Sequence, residues 1–310
     1  MIDDERELQN KMETGGEENM KNRNMVKKRI GIVLTAAALS VAVGSAVILA
    51  SEEETQTSSI ESETESVMSE KESESATSEM ESETSETESL KFQEMSISAE
   101  QAEKLQYYLY IPEKQTNHMP LIVYLHGASA KGQELQLLTS TEEFPKYLQE
   151  GELGKIEAYV LMPQLPSEQK SWRNIDELLY NLIQDTVAEF SIDEKNISLT
   201  GFSIGGTGTW ELAKKYPELF ARIAPLSGSA RGVLDSAEEM KDISAWVFVS
   251  DEDTVIRPNS SEDMVHQLKR AGAKATIHLF EGAEHEEVSS LVWLDEMIKL
   301  ADWLTGEVSY

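Results

Sequence analysis

The stretch ISLTGFSIGGTGTWELAKKY, residues 197–216, decides the fold. Ile197 and Leu199 alternate with polar residues, as in a short strand. From Gly205 onward the run reads as a helix, stopped at Pro217. Between the two, Gly201-Phe202-Ser203-Ile204-Gly205 matches G-x-S-x-G. The motif alone recurs by chance, and a strand before it with a helix after it is what gives it weight. A strand-to-helix turn this tight strains the serine backbone. Side chains two residues before and two residues after the serine would collide with the turn, so Gly201 and Gly205 are required there. The Ser203 hydroxyl is then lifted above the carboxyl ends of the strands, where open α/β sheets bind ligands. The helix start aims N–H groups and partial positive charge at the same point. Ser203 is therefore a candidate nucleophile, and the Ile204 N–H a candidate oxyanion donor.

The flanking sequence supplies the sheet for such a turn. Leu105–Ile111, Pro120–Gly127 and Ala158–Gln164 are strand-like. In DELLYNLIQDTVAEF, Leu178, Leu179, Leu182, Ile183, Val187 and Phe190 fall on one helical face. ARIAPLSG, SAWVFVS and ATIHLFEG add three apolar runs after the turn, and SLVWLDEMIKLADWL is expected to close the domain as one helix. Strands alternating with helices predict an α/β domain over residues 91–310, with a mostly parallel sheet covered on both faces.

Three other segments precede that domain. Residues 1–29 form a tail of mixed charge that ends in Lys27, Lys28 and Arg29. Residues 30–50 are uncharged. As a helix they would span about 31 Å, close to the ~30 Å hydrocarbon core of a bilayer. The basic residues before them place the N-terminus in the cytoplasm and everything after Ala50 outside. A cleaved export signal is the alternative, with Gly44-Ser45-Ala46 as the small-residue site. Either way, the expectation is single-pass membrane attachment or secretion, with the large domain outside the cell. Residues 51–90 hold 14 Glu and one Lys among Ser and Thr. Such a tract cannot bury enough apolar surface to fold, so it reads as a disordered stalk.

Of the formal net charge of −30, residues 91–310 carry −17. That charge repels phosphate backbones and argues against a nucleic-acid partner. The chain has no Cys, which excludes disulfides, zinc–thiolate sites and a cysteine nucleophile.

A serine nucleophile needs a base, an acid and a second oxyanion donor. Leu125-His126-Gly127-Ala128 ends a strand in a His-Gly turn, and the Ala128 N–H is the candidate donor. After such an elbow the carboxylate comes next in the chain and the histidine last. The strand at Ala245–Ser250 runs into Asp251-Glu252-Asp253-Thr254-Val255. Asp253 fits the spacing to the following apolar residues, and Asp251 is the alternative. Five histidines remain to be weighed. His118 lies in a polar loop, His126 in the turn, His266 in a helical stretch and His278 inside a strand. His285 alone follows a strand and a glycine-containing loop and comes after Asp253. The resulting set is Ser203, His285 and Asp253.

Pro163-Gln164-Leu165-Pro166, Trp172, Thr200–Gly206, Gly208-Thr209-Trp210 and Tyr216-Pro217 through Phe220-Ala221 resemble the predicted-peptidase and polyhydroxybutyrate-depolymerase-like branch of the α/β-hydrolases. Acetyl-xylan and feruloyl carbohydrate esterases are similar. The resemblance covers about residues 100–305 and implies a serine hydrolase that uses no metal and no cofactor. The acid loop departs from the family pattern, with Ser250 where a Gly is usual and Arg257 before Pro258. Fewer than 20 residues separate the strand ending near Ser227 from the one starting near Ala245. A large helical lid has no room there, so an open, shallow cleft is expected. Trp172 either lines that cleft or belongs to the core. The expected partner is an ester-bearing small molecule or polysaccharide. A peptidase acting on short peptides and a non-catalytic binding module remain as alternatives.

Overall fold

A computed structural model describes residues 92–94 and 105–309. The tail, the apolar segment and the stalk read at 1–29, 30–50 and 51–90 lie outside the described residues. The described residues belong to one compact unit, Ser89–Tyr310. Among the described residues the strands are β1 (Phe92–Glu94), β2 (Tyr107–Tyr110), β3 (Met119–Leu125), β4 (Tyr159–Pro163), β5 (Ile192–Phe202), β6 (Arg222–Leu226), β7 (Ser244–Ser250) and β8 (Ala275–Phe280). They form one sheet in the order β1-β2-β4-β3-β5-β6-β7-β8. β1 and β2 pair antiparallel, β2 meets β4 antiparallel, and the other neighbours are parallel. β5 is longer than the short strand read from its apolar residues, because it begins at Ile192.

Strand periodicity divides the core into two layers. Leu121, Val123 and Leu125 of β3 point to one face, where they join apolar residues of α3 (Asp176–Glu189), α4 (Ile204–Lys215) and α5 (Asn259–Ala271). Ile122 and Tyr124 point to the other. There they meet α1 (Gln136–Thr141), α2 (Glu143–Glu150), α6 (Glu287–Leu294) and α7 (Leu300–Thr305). With both faces covered, the parallel strands carry nearly continuous apolar runs. β3 is buried at every position except Pro120.

The C-terminal run departs from the expected single helix. It is two helices, α6 and α7, broken after Leu294. Asp295 causes the break. Its side chain accepts the Met297 N–H at 2.8 Å, its carbonyl accepts the Ile298 N–H at 3.1 Å, and Lys299 then turns left-handed at φ 50°. An Asp that captures a backbone N–H two residues on competes with helix continuation. α1 and α2, between β3 and β4, go beyond the sequence reading and matter for the site.

Between β6 and β7, residues 227–243 form turns without a helix. Val233 and Met240 anchor that connection in the core.

Candidate active site

Ser203 sits between the end of β5 and the first turn of α4, with φ 57° and ψ −116°. Such a backbone costs a non-glycine residue on the order of 1–3 kcal/mol, so the surroundings must hold it in place. They do so by close approach. A Cβ on Gly205 would lie 1.9 Å from the Leu125 carbonyl oxygen, and one on Gly201 would lie 2.5 Å from the same atom. The turn therefore presses on the end of β3, and only glycine permits that. The Ser203 N–H is fixed by the Leu226 carbonyl at 2.9 Å.

The structure brings Ser203, His285 and Asp253 together in one hydrogen-bonded line. His285 Nδ1 lies 2.7 Å from Asp253 Oδ2, and His285 Nε2 lies 2.8 Å from Ser203 Oγ. A carboxylate only accepts, so Nδ1 carries the ring proton and Nε2 is left to accept from the serine hydroxyl. All three side chains are buried; Ser203 is 8% exposed and His285 5%. Asp253 is held from its other side, since its Oδ1 accepts the N–H groups of Val255 at 3.0 Å and Ile256 at 2.8 Å. Asp251, the alternative carboxylate, is exposed, and the His285 Nδ1 partner is Asp253 instead. Asp251 Oδ1 accepts the Gly282 N–H at 2.6 Å and so ties down the loop that carries His285. Ser250 ties the same loop, donating to the Ala283 carbonyl at 2.5 Å. His118 and His266 are exposed, and His278 lies on β8 beside Phe248 and Phe280.

Ile204 opens α4, so its N–H is among those a helix leaves without an internal acceptor. Ala128 follows the end of β3, which packs on the elbow glycines, and it begins a single 3-10 turn, Ala128–Ala130. His126 is fully buried below this turn. Its Nε2 accepts the Leu165 N–H at 2.8 Å, so Nδ1 is the protonated nitrogen and donates to the Gly127 carbonyl at 2.6 Å. Burial holds the His126 pKa down at about 4, which keeps the ring neutral.

Trp172 does not line a cleft. It is fully buried, with its edge-on ring 5.0 Å from His126 and its Nε1 donating to the His126 carbonyl at 3.2 Å. It fills the space that Gly208 leaves open, where a Cβ would come within 2.7 Å of the Trp172 Cβ. Its contribution is to support the His126 turn from beneath.

Glu142 is absent from the sequence reading. It is buried between α1 and α2, and its carboxylate accepts from Tyr124 Oη (2.9 Å), the Gly127 N–H (3.0 Å) and Ser129 Oγ (2.7 Å). Burial raises its pKa, and those three hydrogen bonds oppose the rise. No local sequence signal marks it, because its partners lie 13 to 18 residues earlier in the chain.

A recess of about 540 Å³ opens against His285, lined by Glu252, Thr254, Val255, Gly282, Glu284 and Glu286. Val255 is 64% exposed at its mouth. Among the described residues no cluster of three His, Asp or Glu side chains is placed to hold a metal ion.

The dienelactone hydrolase family matches residues 157–287, a span that contains Ser203, Asp253 and His285. Feruloyl esterase B of Thermothelomyces thermophilus is 25% identical over 220 residues, covering 56% of this chain and 73% of its own. Poly(3-hydroxyalkanoate) depolymerase C of Paucimonas lemoignei is 26% identical over 143 residues, or 40% of this chain and 31% of the depolymerase. Among solved structures, a thermostable esterase superposes with a TM-score of 0.58 at 25% identity, covering 69% of this chain and 62% of that one. An arylesterase with a TM-score of 0.51 and 16% identity shares the fold, over 70% of this chain and 84% of its own.

Proposed function

We propose that this chain, a serine hydrolase of the α/β-hydrolase superfamily, cleaves carboxylic esters by acyl transfer through Ser203. The observation that carries the reading is the 2.8 Å contact between His285 Nε2 and the hydroxyl of a serine held at φ 57°. As Ser203 Oγ attacks the ester carbonyl, its proton passes to His285 Nε2. Asp253 holds the ring in the accepting tautomer and stabilises the imidazolium. The carbonyl oxygen, now anionic, takes hydrogen bonds from the Ile204 and Ala128 N–H groups, each worth about 3–4 kcal/mol in the transition state. His285 then protonates the departing alcohol. Water, activated by the same histidine, releases the acid and restores Ser203.

The substrate we favour is an acyl group carried on a polysaccharide or similar polymer. Two things support this reading. The connection between β6 and β7 is too short for a large lid, so an extended ester can approach the His285 recess. The curated relatives are named as a feruloyl esterase and a poly(3-hydroxyalkanoate) depolymerase. We place the domain outside the cell, on a membrane anchor or after export. The support is the uncharged segment at residues 30–50 and the basic residues before it. No helix among the described residues is long and apolar enough to cross a membrane.

The test is a substrate panel on the full chain, with Ser203→Ala as background. It comprises p-nitrophenyl acetate and butyrate, acetylated and feruloylated glycans, and short peptide anilides. Ester turnover that vanishes in the variant supports the reading, whereas turnover of the anilides alone would replace it with a peptidase. Location can be read separately. The chain has no Cys, so one introduced at an exposed position such as Glu307 should react with an impermeant maleimide on intact cells. Protection from that reagent until lysis would refute the outside placement.

A further inference from the structure

We propose that Glu142 is a positioning residue that sets the direction of the Ala128 N–H, and so completes the oxyanion site from the second layer of the core. The inference rests on Ala128 acting as an oxyanion donor.

The Gly127 carbonyl and the Ala128 N–H belong to the same planar trans peptide, so they point in opposite directions. His126 Nδ1 holds the carbonyl end at 2.6 Å. That contact fixes the plane only if the residue carrying it cannot swing. Glu142 supplies the restraint on both sides, because Oε2 accepts the Gly127 N–H and Oε1 accepts the Ser129 hydroxyl. Ala128 is thus bracketed by two residues tied to one carboxylate. The carboxylate is in turn anchored to β3 through Tyr124 Oη at 2.9 Å. The pairing joins the rigid strand end to an exposed loop whose next residues, Ala128 and Ser129, are open to solvent.

Folding alone does not call for this arrangement. Glu142 is 1% exposed, between Leu138 and Phe144 of the apolar layer. Among the described residues no Lys or Arg is paired with it. An apolar residue would fill the site without desolvating a charge. What the carboxylate adds is three directed acceptor contacts, two of them to the loop.

The test is a double-mutant cycle in the full chain, read as kcat and KM on p-nitrophenyl acetate below the melting range of every variant. Ala128→Pro deletes the one N–H. Proline is tolerated at the first position of a helical turn, and Gly127 before it is already extended at ψ −171°. That variant should lose about 100-fold or more in kcat. Glu142→Ala should lower kcat by about 10- to 100-fold with KM changed less than about twofold. Glu142→Gln should recover most of that loss, since its amide oxygen can serve Gly127 and Tyr124 while its NH₂ donates to Ser129 Oγ. In the Ala128→Pro background, Glu142→Ala should cost less than about threefold, because the group it positions is gone.

A folded Glu142→Ala protein with wild-type kcat would overturn the proposal. So would a full, additive loss in the Ala128→Pro background. If Glu142→Ala does not fold, Ser129→Ala takes its place in the same cycle, with the same coupling expected and additivity again fatal. Wild-type kcat in Ala128→Pro itself would remove the oxyanion assignment, and this proposal with it. The esterase reading would then still be judged separately by Ser203→Ala.

Discussion

Asp253→Asn should abolish turnover while leaving the fold intact, and the structure says why the new amide cannot simply turn over. Asp253 Oδ1 accepts two backbone N–H groups, from Val255 and Ile256. In the variant those donors keep the amide oxygen on their side, which forces the NH₂ toward His285 Nδ1. An NH₂ there donates, so Nδ1 must accept, and the ring proton moves to Nε2. Nε2 then points a proton at Ser203 Oγ, 2.8 Å away, and can no longer take one. A wrong-tautomer substitution of this kind is worth about 10⁴ in kcat, or about 5.5 kcal/mol of barrier. The assay is steady-state hydrolysis of p-nitrophenyl acetate by the full chain, with the thermal midpoint measured alongside. Asp251→Asn is the internal control. The Asp251 carboxylate accepts the Gly282 N–H, which an amide oxygen can still accept, so this variant should stay within about threefold of wild type. An Asp253→Asn enzyme that keeps more than about a tenth of kcat would refute the reasoning, as would an equal loss in Asp251→Asn.

Gly205→Ala should damage both stability and rate. The added Cβ would start 1.9 Å from the Leu125 carbonyl oxygen, so β3 and the Ser203 turn must part by more than an ångström. Overpacking of this kind costs about 1–3 kcal/mol or more, and a misplacement of that size about 100-fold in kcat. Unchanged melting and unchanged kcat together would contradict the steric account. His126 predicts a pH effect on stability. Its pKa falls from 6.5 to about 4 on folding, so the unfolded chain binds the extra proton between those values. Stability from this group is full above pH 6.5 and is lost as pH falls toward 4, by about 3 kcal/mol in all. Chemical denaturation across that range should show a shallower acid decline in His126→Gln, and parallel curves would refute the assignment.

The elbow could be read from the sequence because its requirements are local. A strained serine between two obligatory glycines leaves its signature within five residues, and the strand and helix on either side carry their own periodicities. His285 was reachable by elimination and chain order. The acid was only half legible. Asp251 and Asp253 stand two residues apart, and what separates them is which one the Val255 and Ile256 N–H groups turn inward. Trp172 could not be assigned at all, because its burial depends on Gly208, which lies 36 positions away and becomes its neighbour only when α4 docks. Apolar periodicity ran through Asp295 and hid the break there, since one side-chain hydrogen bond outweighed the pattern. Glu142 was invisible for a related reason. Its three partners lie on β3 and the loop after it, and they reach the carboxylate only once the intervening chain has folded back.

The central claim is that Ser203 Oγ forms a covalent bond to the acyl group. The most direct measurement is to quench the full chain with acid during turnover of p-nitrophenyl acetate and to locate the added acetyl mass by peptide mass spectrometry. The account predicts one acetyl group on the peptide containing Ser203. It also predicts accumulation of that adduct in His285→Ala far below the wild-type rate, and none in Ser203→Ala. Rapid ester hydrolysis with an unmodified Ser203 peptide, or an adduct that persists at wild-type rate in Ser203→Ala, would contradict it.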